Sequence, residues 1–180
     1  MFRKLLNSEL GRPAVEEYKA LSKSPITVIL DNVRSRHNIG SAFRTGDAFR
    51  IRGIVLCGIS STPPSPEIHK SALGAEFSVD WTYREDTVEA VRELKAKGYT
   101  VIGVEQTENS VSTDCFLLGE RRLDPEKQYA VIFGNEVHGI SQEAVDLCDF
   151  TLEIPQWGTK HSLNVSVAIG IVLYVLTPRG

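Results

Sequence analysis

The chain has 180 residues, 42% of them apolar and 24% charged, with a net charge of −3. Those values describe an ordinary globular chain with a sizeable core and exclude a disordered or fibrous one. The longest apolar stretch, Val167 to Leu176, is half of the roughly 20 residues a membrane-spanning helix needs. Met1 to Leu6 carries positive charge without an apolar signal core, so secretion is not expected. Cys57, Cys115 and Cys148 form no CxxC pair and read as reduced structural thiols in a cytoplasmic protein.

Residues 1–24 are polar to amphipathic, with a helical pattern over Glu16 to Leu21 ended by Ser24-Pro25. They form a short N-terminal helical extension, and residues 25–180 form a single domain. The β-branched run Ile26-Thr27-Val28-Ile29-Leu30 predicts a buried strand. A helix follows across Ile39, Ala42, Phe43 and Phe49, then a strand over Gly53 to Cys57. Ser60 to Pro66 is a loop, Glu67 to Ala72 a short helix, and Phe77 to Tyr83 an alternating strand. Asp86 to Lys97 is an amphipathic helix with Val88, Val91 and Leu94 on one side and Gly98 as its stop. Tyr99 to Val104 is the next strand, and residues 106–127 are irregular. Gln128 to Phe133 is a strand, Ser141 caps a helix through Leu147, Phe150 to Ile154 is the last strand, and Asn164 to Leu176 is a buried helix. Strands alternating with helices predict an α/β fold, a parallel sheet with helices on both faces.

The charge is unevenly spread. From Asp31 to Arg52 there are five arginines (34, 36, 44, 50, 52) against Asp31 and Asp47, a local +3 on an acidic body. Such a patch reads as a solvated surface or as a face that touches RNA. The chain has no G-x-G-x-x-G after a strand, no P-loop, no HExxH and no GxSxG, which argues against nicotinamide enzymes, P-loop kinases and α/β-hydrolases. Four histidines (37, 69, 138, 161) match no zinc or facial-triad spacing, so no metal is expected. His138 and His161 flank the candidate pocket.

Three blocks carry the chemistry: Asn38-Ile39-Gly40-Ser41-Ala42-Phe43-Arg44-Thr45, Phe133-Gly134-Asn135-Glu136-Val137-His138-Gly139-Ile140, and His161-Ser162-Leu163-Asn164-Val165-Ser166-Val167-Ala168. Each puts small or polar residues between an apolar β-like run and a helical pattern, where a parallel sheet holds its ligands. Each also has a plainer reading. Arg44 alone reads as a surface ion pair, the second block as a strand-to-helix turn, and Ser162 and Asn164 as helix N-caps.

Taken in order, the blocks resemble the signature motifs of the SpoU/TrmH family of RNA ribose 2′-O-methyltransferases. Arg44-Thr45-Gly46-Asp47-Ala48 and Ser71-Ala72-Leu73-Gly74-Ala75 place the likeness nearest the TrmH-like members, over Ile26 to Leu176. The resemblance implies a SPOUT fold with a C-terminal trefoil knot, a homodimer, and S-adenosyl-L-methionine as cofactor, while the short apolar stretches predict no membrane association. It assigns cofactor binding to Val104, Glu105, Gly134, Asn135, Ile154, Ser162 and Leu163. It assigns catalysis to Arg44, Asn38, Glu136, Ser162 and Asn164, and the basic patch supplies Arg34, Arg36 and Arg44 for RNA binding. Because a guanidinium is effectively never deprotonated, Arg44 suits a phosphate clamp better than a general base. The expected substrate is transfer RNA first and ribosomal RNA second. The chain ends at Gly180, directly after the third-block helix and without the helical extension of some transfer-RNA members, so the nucleotide stays open. The competing readings are a non-catalytic RNA-binding module and a hydrolase using Ser162 with His161 or His138, for which no nucleophile elbow is present.

Overall fold

The computed structural model describes residues 2–177. Met1 and residues 178–180, the ends of the two expected segments, lie outside them. Among the described residues seven strands form one sheet in the order β3-β2-β1-β6-β4-β7-β5, and every neighbouring pair is parallel. The strands are β1 (Ile26–Asp31), β2 (Gly53–Cys57), β3 (Trp81–Arg84), β4 (Thr100–Val104), β5 (Val111–Ser112), β6 (Tyr129–Phe133) and β7 (Phe150–Glu153). β1, β2 and β6 are buried along their whole length, as near-continuous apolar runs covered on both faces must be.

Alternation along the strands divides the core. Val28 and Leu30 of β1, Ile54 and Leu56 of β2, and Val131 and Phe133 of β6 face one side. There they meet α2 (Arg36–Ala48), α3 (Pro66–Ala72), α5 (Thr113–Leu117) and α7 (Val165–Leu176). Ile29, Val55 and Ile132 face the other side and pack with α4 (Thr87–Ala96) and α6 (Gln142–Val145). The expected α/β class with helices on both faces is therefore the observed one. α1 (Val15–Ala20) docks through buried Tyr18, whose hydroxyl donates to the Asp47 carbonyl at 3.2 Å while the Lys23 ammonium lies 3.3 Å from its ring.

Four local expectations need correction. Phe77 to Tyr83 is not one strand: Ala75–Phe77 is a 3₁₀ turn and the strand begins only at Trp81, because Leu73 and Gly74 both take left-handed conformations and turn the chain. The 106–127 segment is not wholly irregular, since it holds β5 and α5, started by a Ser112 cap. Ser141 stands at the N-cap of α6 but its side chain makes no capping bond. α7 is buried on one side only, with Val167 and Tyr174 exposed. No disulfide joins the three thiols; burial pushes Cys57 up to about 12 and Cys148 up to about 11, which keeps both protonated.

Candidate active site

All strands run in one direction, so their carboxyl ends share one edge of the molecule. The chain builds outward from β1 to β3, then crosses to β4 on the far side of β6. The crevice at such a reversal is where open α/β sheets bind ligands.

The first block starts where β1 ends. Asn32 adopts a left-handed conformation (φ 55), which asparagine tolerates better than most residues. Its carbonyl accepts the Asn135 side-chain amide at 2.7 Å. Ser35 then caps α2 by accepting the Asn38 N–H at 3.3 Å. Arg44 lies six residues beyond Asn38, which on a helix is about 240° of rotation, so the two side chains diverge. Arg44 is exposed and makes no hydrogen bond or ion pair among the described residues.

The second block is a tight loop after β6. Asn135 and Gly139 exchange two backbone hydrogen bonds of 2.9 Å, and Asn135 Oδ1 accepts the N–H groups of Val137 and His138. A Cβ at Gly134 would lie 2.1 Å from the Gly139 carbonyl carbon and 2.2 Å from the Ile140 nitrogen, so only glycine permits this closure. Glu105, at the end of β4, braces the loop: its Oε2 accepts the Ile140 N–H at 3.0 Å and its Oε1 accepts the Gln106 N–H at 2.9 Å.

Glu136 reaches from this loop to the first block. Its carboxylate accepts the Arg34 N–H, the Ser35 N–H and the Asn38 side-chain amide, each at 3.0 Å. Partial burial alone would raise its pKa. The two backbone N–H groups, its own N–H and the Asn38 amide outweigh that effect and hold the carboxyl below the usual carboxylate range.

The third block follows β7 through a segment without regular structure, where the His161 carbonyl accepts the Gln106 side-chain amide at 2.6 Å. Asn164 caps α7 by accepting the Ser166 N–H at 2.9 Å, and its own amide donates to Asn38 Oδ1 at 3.3 Å. Ser162, the other expected cap, is two residues too early for that role and lines the cavity instead. Glu136, Asn38 and Asn164, one residue from each block, thus form one hydrogen-bonded chain.

The blocks enclose a cavity of about 600 Å³. Val104, Glu105, Gly134, Asn135, Ile154, Ser162 and Leu163 all line it, together with Glu136 and Asn164. Asn38 stands just behind these last two, while Arg34, Arg36 and Arg44 are not among the lining residues. Arg36 diverges from the other arginines: its Nε donates to Ser61 Oγ at 3.1 Å and its Nη1 to Glu67 at 3.2 Å. The sequence reading missed Gln106, Thr107, Gln142 and Gln156, which add polar groups to the wall. Gln106, Thr107 and Gln156 could have been found, since each lies within three residues of the carboxyl end of a predicted strand. Gln142 carries no such signal.

A parallel sheet whose three loop blocks close on one crevice defines a class of ligand-binding α/β proteins. Comparison narrows the class, since the model of the SpoU rRNA Methylase family matches residues 25–174. The chain belongs to that family. It is 32% identical over 167 residues to the tRNA (guanosine(18)-2′-O)-methyltransferase of Thermus thermophilus, covering 93% of this chain and 81% of that one. It is also 32% identical over 153 residues to the 23S rRNA (guanosine-2′-O-)-methyltransferase RlmB of Neisseria meningitidis, covering 85% of this chain and 58% of the relative. Among solved structures, the AdoMet-bound rRNA methyltransferase of Sinorhizobium meliloti superposes with a TM-score of 0.75 at 28% identity, over 88% of this chain and 58% of that one. The A. aeolicus TrmH/SpoU tRNA modifying enzyme gives 0.75 at 26% identity, over 89% and 79%. The chain therefore spans less than two thirds of the Neisseria and Sinorhizobium proteins.

Proposed function

We propose that this protein methylates a ribose 2′-hydroxyl of structured RNA with S-adenosylmethionine as donor, and that its substrate is transfer RNA. The observation that carries this reading is the Glu136–Asn38–Asn164 chain, which ties all three blocks to one cavity. The cavity suits the cofactor. Its volume of about 600 Å³ falls within the ~300–1,000 Å³ of small-molecule sites, and its apolar floor (Phe133, Ile140, Leu152, Ala168) is ringed by loop backbone and amides. Gly134, Asn135, Ile154, Ser162 and Leu163 would hold the cofactor, with Val104 and Glu105 closing the wall.

S-adenosylmethionine supplies, when bound, a methyl carbon activated by its sulfonium. The protein's own residues do the rest. A ribose hydroxyl is a poor nucleophile and must be oriented and relieved of its proton, which in this reading passes to an oxygen of the substrate phosphate that Arg44 holds. Arg44 clamps a substrate phosphate and stabilises the charge developing on the ribose oxygen. Glu136 fixes the segment that starts α2 and so sets where Arg44 is presented, while Asn38 and Asn164 hold that segment against the third block. Arg34 adds positive charge for the RNA backbone.

Arg44 stands outside the cavity lining of its own chain. That placement, with exposed Val167 and Tyr174 on α7, supports a homodimer whose subunits meet near the site. The C-terminal segment is knotted in this reading. β7 sits between β4 and β5, which are consecutive in the chain, and that strand order supports the reading. The reading also takes residues 25–180 as one methyltransferase domain with 1–24 as a helical extension. Its setting is the cytoplasm; no helix among the described residues is long and apolar enough to cross a membrane.

The test is incubation of purified protein with methyl-labelled S-adenosylmethionine and bulk transfer RNA. Label transfer supports the enzyme. Tight RNA binding without transfer would instead favour a binding module that keeps the fold.

A further inference from the structure

A second concavity, about 640 Å³, opens at the carboxyl ends of β2 and β3 beside the 58–67 loop, and shares no lining residue with the first. Trp81 and Tyr83 line it from the edge strand β3, two residues apart and so on one face of the sheet. Tyr83 is 43% exposed and its ring orientation is fixed, because its hydroxyl donates to the Gly58 carbonyl at 2.9 Å. Arg36 stands at the rim, held by Ser61 and paired with Glu67 at 3.2 Å. That pairing leaves the rim close to neutral, which disfavours a phosphate. Two aromatic side chains, a guanidinium plane and the one uncommitted serine hydroxyl hydrogen, that of Ser61, together suit an uncharged, planar group.

One short segment separates the two concavities. The Asn32 carbonyl accepts from Asn135 on the cavity side, and Asn32 Oδ1 accepts the Ile59 N–H on the groove side at 3.1 Å. Likewise the Arg34 and Ser35 N–H groups bind Glu136, while the Arg36 side chain turns to the groove. Residues 32–36 thus have the cavity on one side and the groove on the other.

We propose that this groove receives an unpaired nucleobase flanking the target ribose, stacked against Trp81 and Tyr83, with Arg34 left to meet backbone phosphate. The proposal rests on the RNA reading above. Stacking on an aromatic side chain is worth about 1–3 kcal/mol per base and tolerates any sequence, so a labelled single-stranded RNA decamer of mixed sequence is a sufficient probe.

Trp81 and Trp157 are the only tryptophans, so Trp157→Phe leaves Trp81 as the sole indole reporter. The expected result is saturable quenching of Trp81 emission as the decamer binds, with an affinity that falls about fivefold to a hundredfold in Tyr83→Ala and is restored in Tyr83→Phe. S-adenosylmethionine affinity should be unchanged in all variants. Decamer binding, followed by anisotropy, that leaves Trp81 emission unchanged would overturn the proposal, as would a decamer that does not bind at all. The emission readout keeps Tyr83 intact and decides the matter even where Tyr83→Ala does not fold. Wild-type protein that quenches on RNA but transfers no methyl group overturns the enzymatic reading alone and leaves the groove assignment standing.

Discussion

Adding a single methyl group at Gly134 should cost the protein both stability and its cofactor. The Cβ of Gly134→Ala would sit 2.1 Å from the Gly139 carbonyl carbon, against an ordinary contact of 3.4 Å or more. The obstructing atoms are backbone, so the 134–140 loop must withdraw by about 1.3 Å. That movement breaks the two 2.9 Å bonds between Asn135 and Gly139 and loosens the Ile140 N–H from the Glu105 carboxylate. Two ordinary hydrogen bonds and one to a charged group sum to about 2.5–6 kcal/mol. For a chain of this size that is a fall in Tm of roughly 5–24 °C. A branched substitution such as Gly134→Val should therefore strain the loop itself, and is not the clean, fully folded block to cofactor binding that a contact with the ligand alone would give. The assay is a thermal melt paired with calorimetric titration of S-adenosylmethionine. Gly134→Ala with wild-type Tm and wild-type affinity would refute the placement of this loop in the cavity wall.

Arg44→Ala should leave S-adenosylmethionine affinity nearly intact while single-turnover methyl transfer falls by at least about two to three orders of magnitude, and Arg44→Lys should recover little. A rate within about tenfold of wild type in Arg44→Ala would leave it an ordinary surface arginine. Asn164→Ala should lose about 1 kcal/mol with the α7 cap. Asn164→Ser keeps the cap but is too short to reach Asn38, so its Tm should stay near wild type while transfer drops about ten- to a hundredfold. Equal rates in Asn164→Ser and wild type would contradict the positioning chain. The Glu136 carboxyl titrates lower folded than unfolded, so the unfolded chain takes up its proton first as pH falls. Its stabilisation is thus complete above the ordinary value of 4.5 and lost as pH drops through the lower folded value. The gap in urea midpoint between wild type and Glu136→Gln should shrink over that acid limb, and a constant gap would argue against the three-donor latch.

Periodicity made most of the fold legible. β1, β2 and β6 are apolar runs of six, five and five residues buried on both faces, and α4 has an Asp86 cap, an apolar stripe and a glycine stop. The failures have local causes. Leu73 in a left-handed conformation is not a turn signal that leucine advertises, so the start of β3 was misplaced. β5 is two residues long and exists only because β7 lies beside it, a tertiary fact with no sequence pattern. At the site, Gly134, Asn135 and Glu136 were legible because polar residues at a strand's carboxyl end need a reason. Which group Glu136 would hold was not, since its partners lie about a hundred positions earlier. The divergence of Arg36 from Arg34 and Arg44 likewise depends on Ser61 and Glu67, brought near only by the fold.

Alkaline digestion of RNA labelled by this protein tests the central claim most directly. Backbone cleavage in alkali needs a free 2′-hydroxyl, so a methyl group on that oxygen protects the adjoining phosphodiester. With methyl-labelled S-adenosylmethionine and bulk transfer RNA, the account predicts label recovered in alkali-resistant dinucleotides, and its near-complete loss in Arg44→Ala. Label recovered only in mononucleotides, on the base, would contradict a ribose 2′-O-methyltransferase.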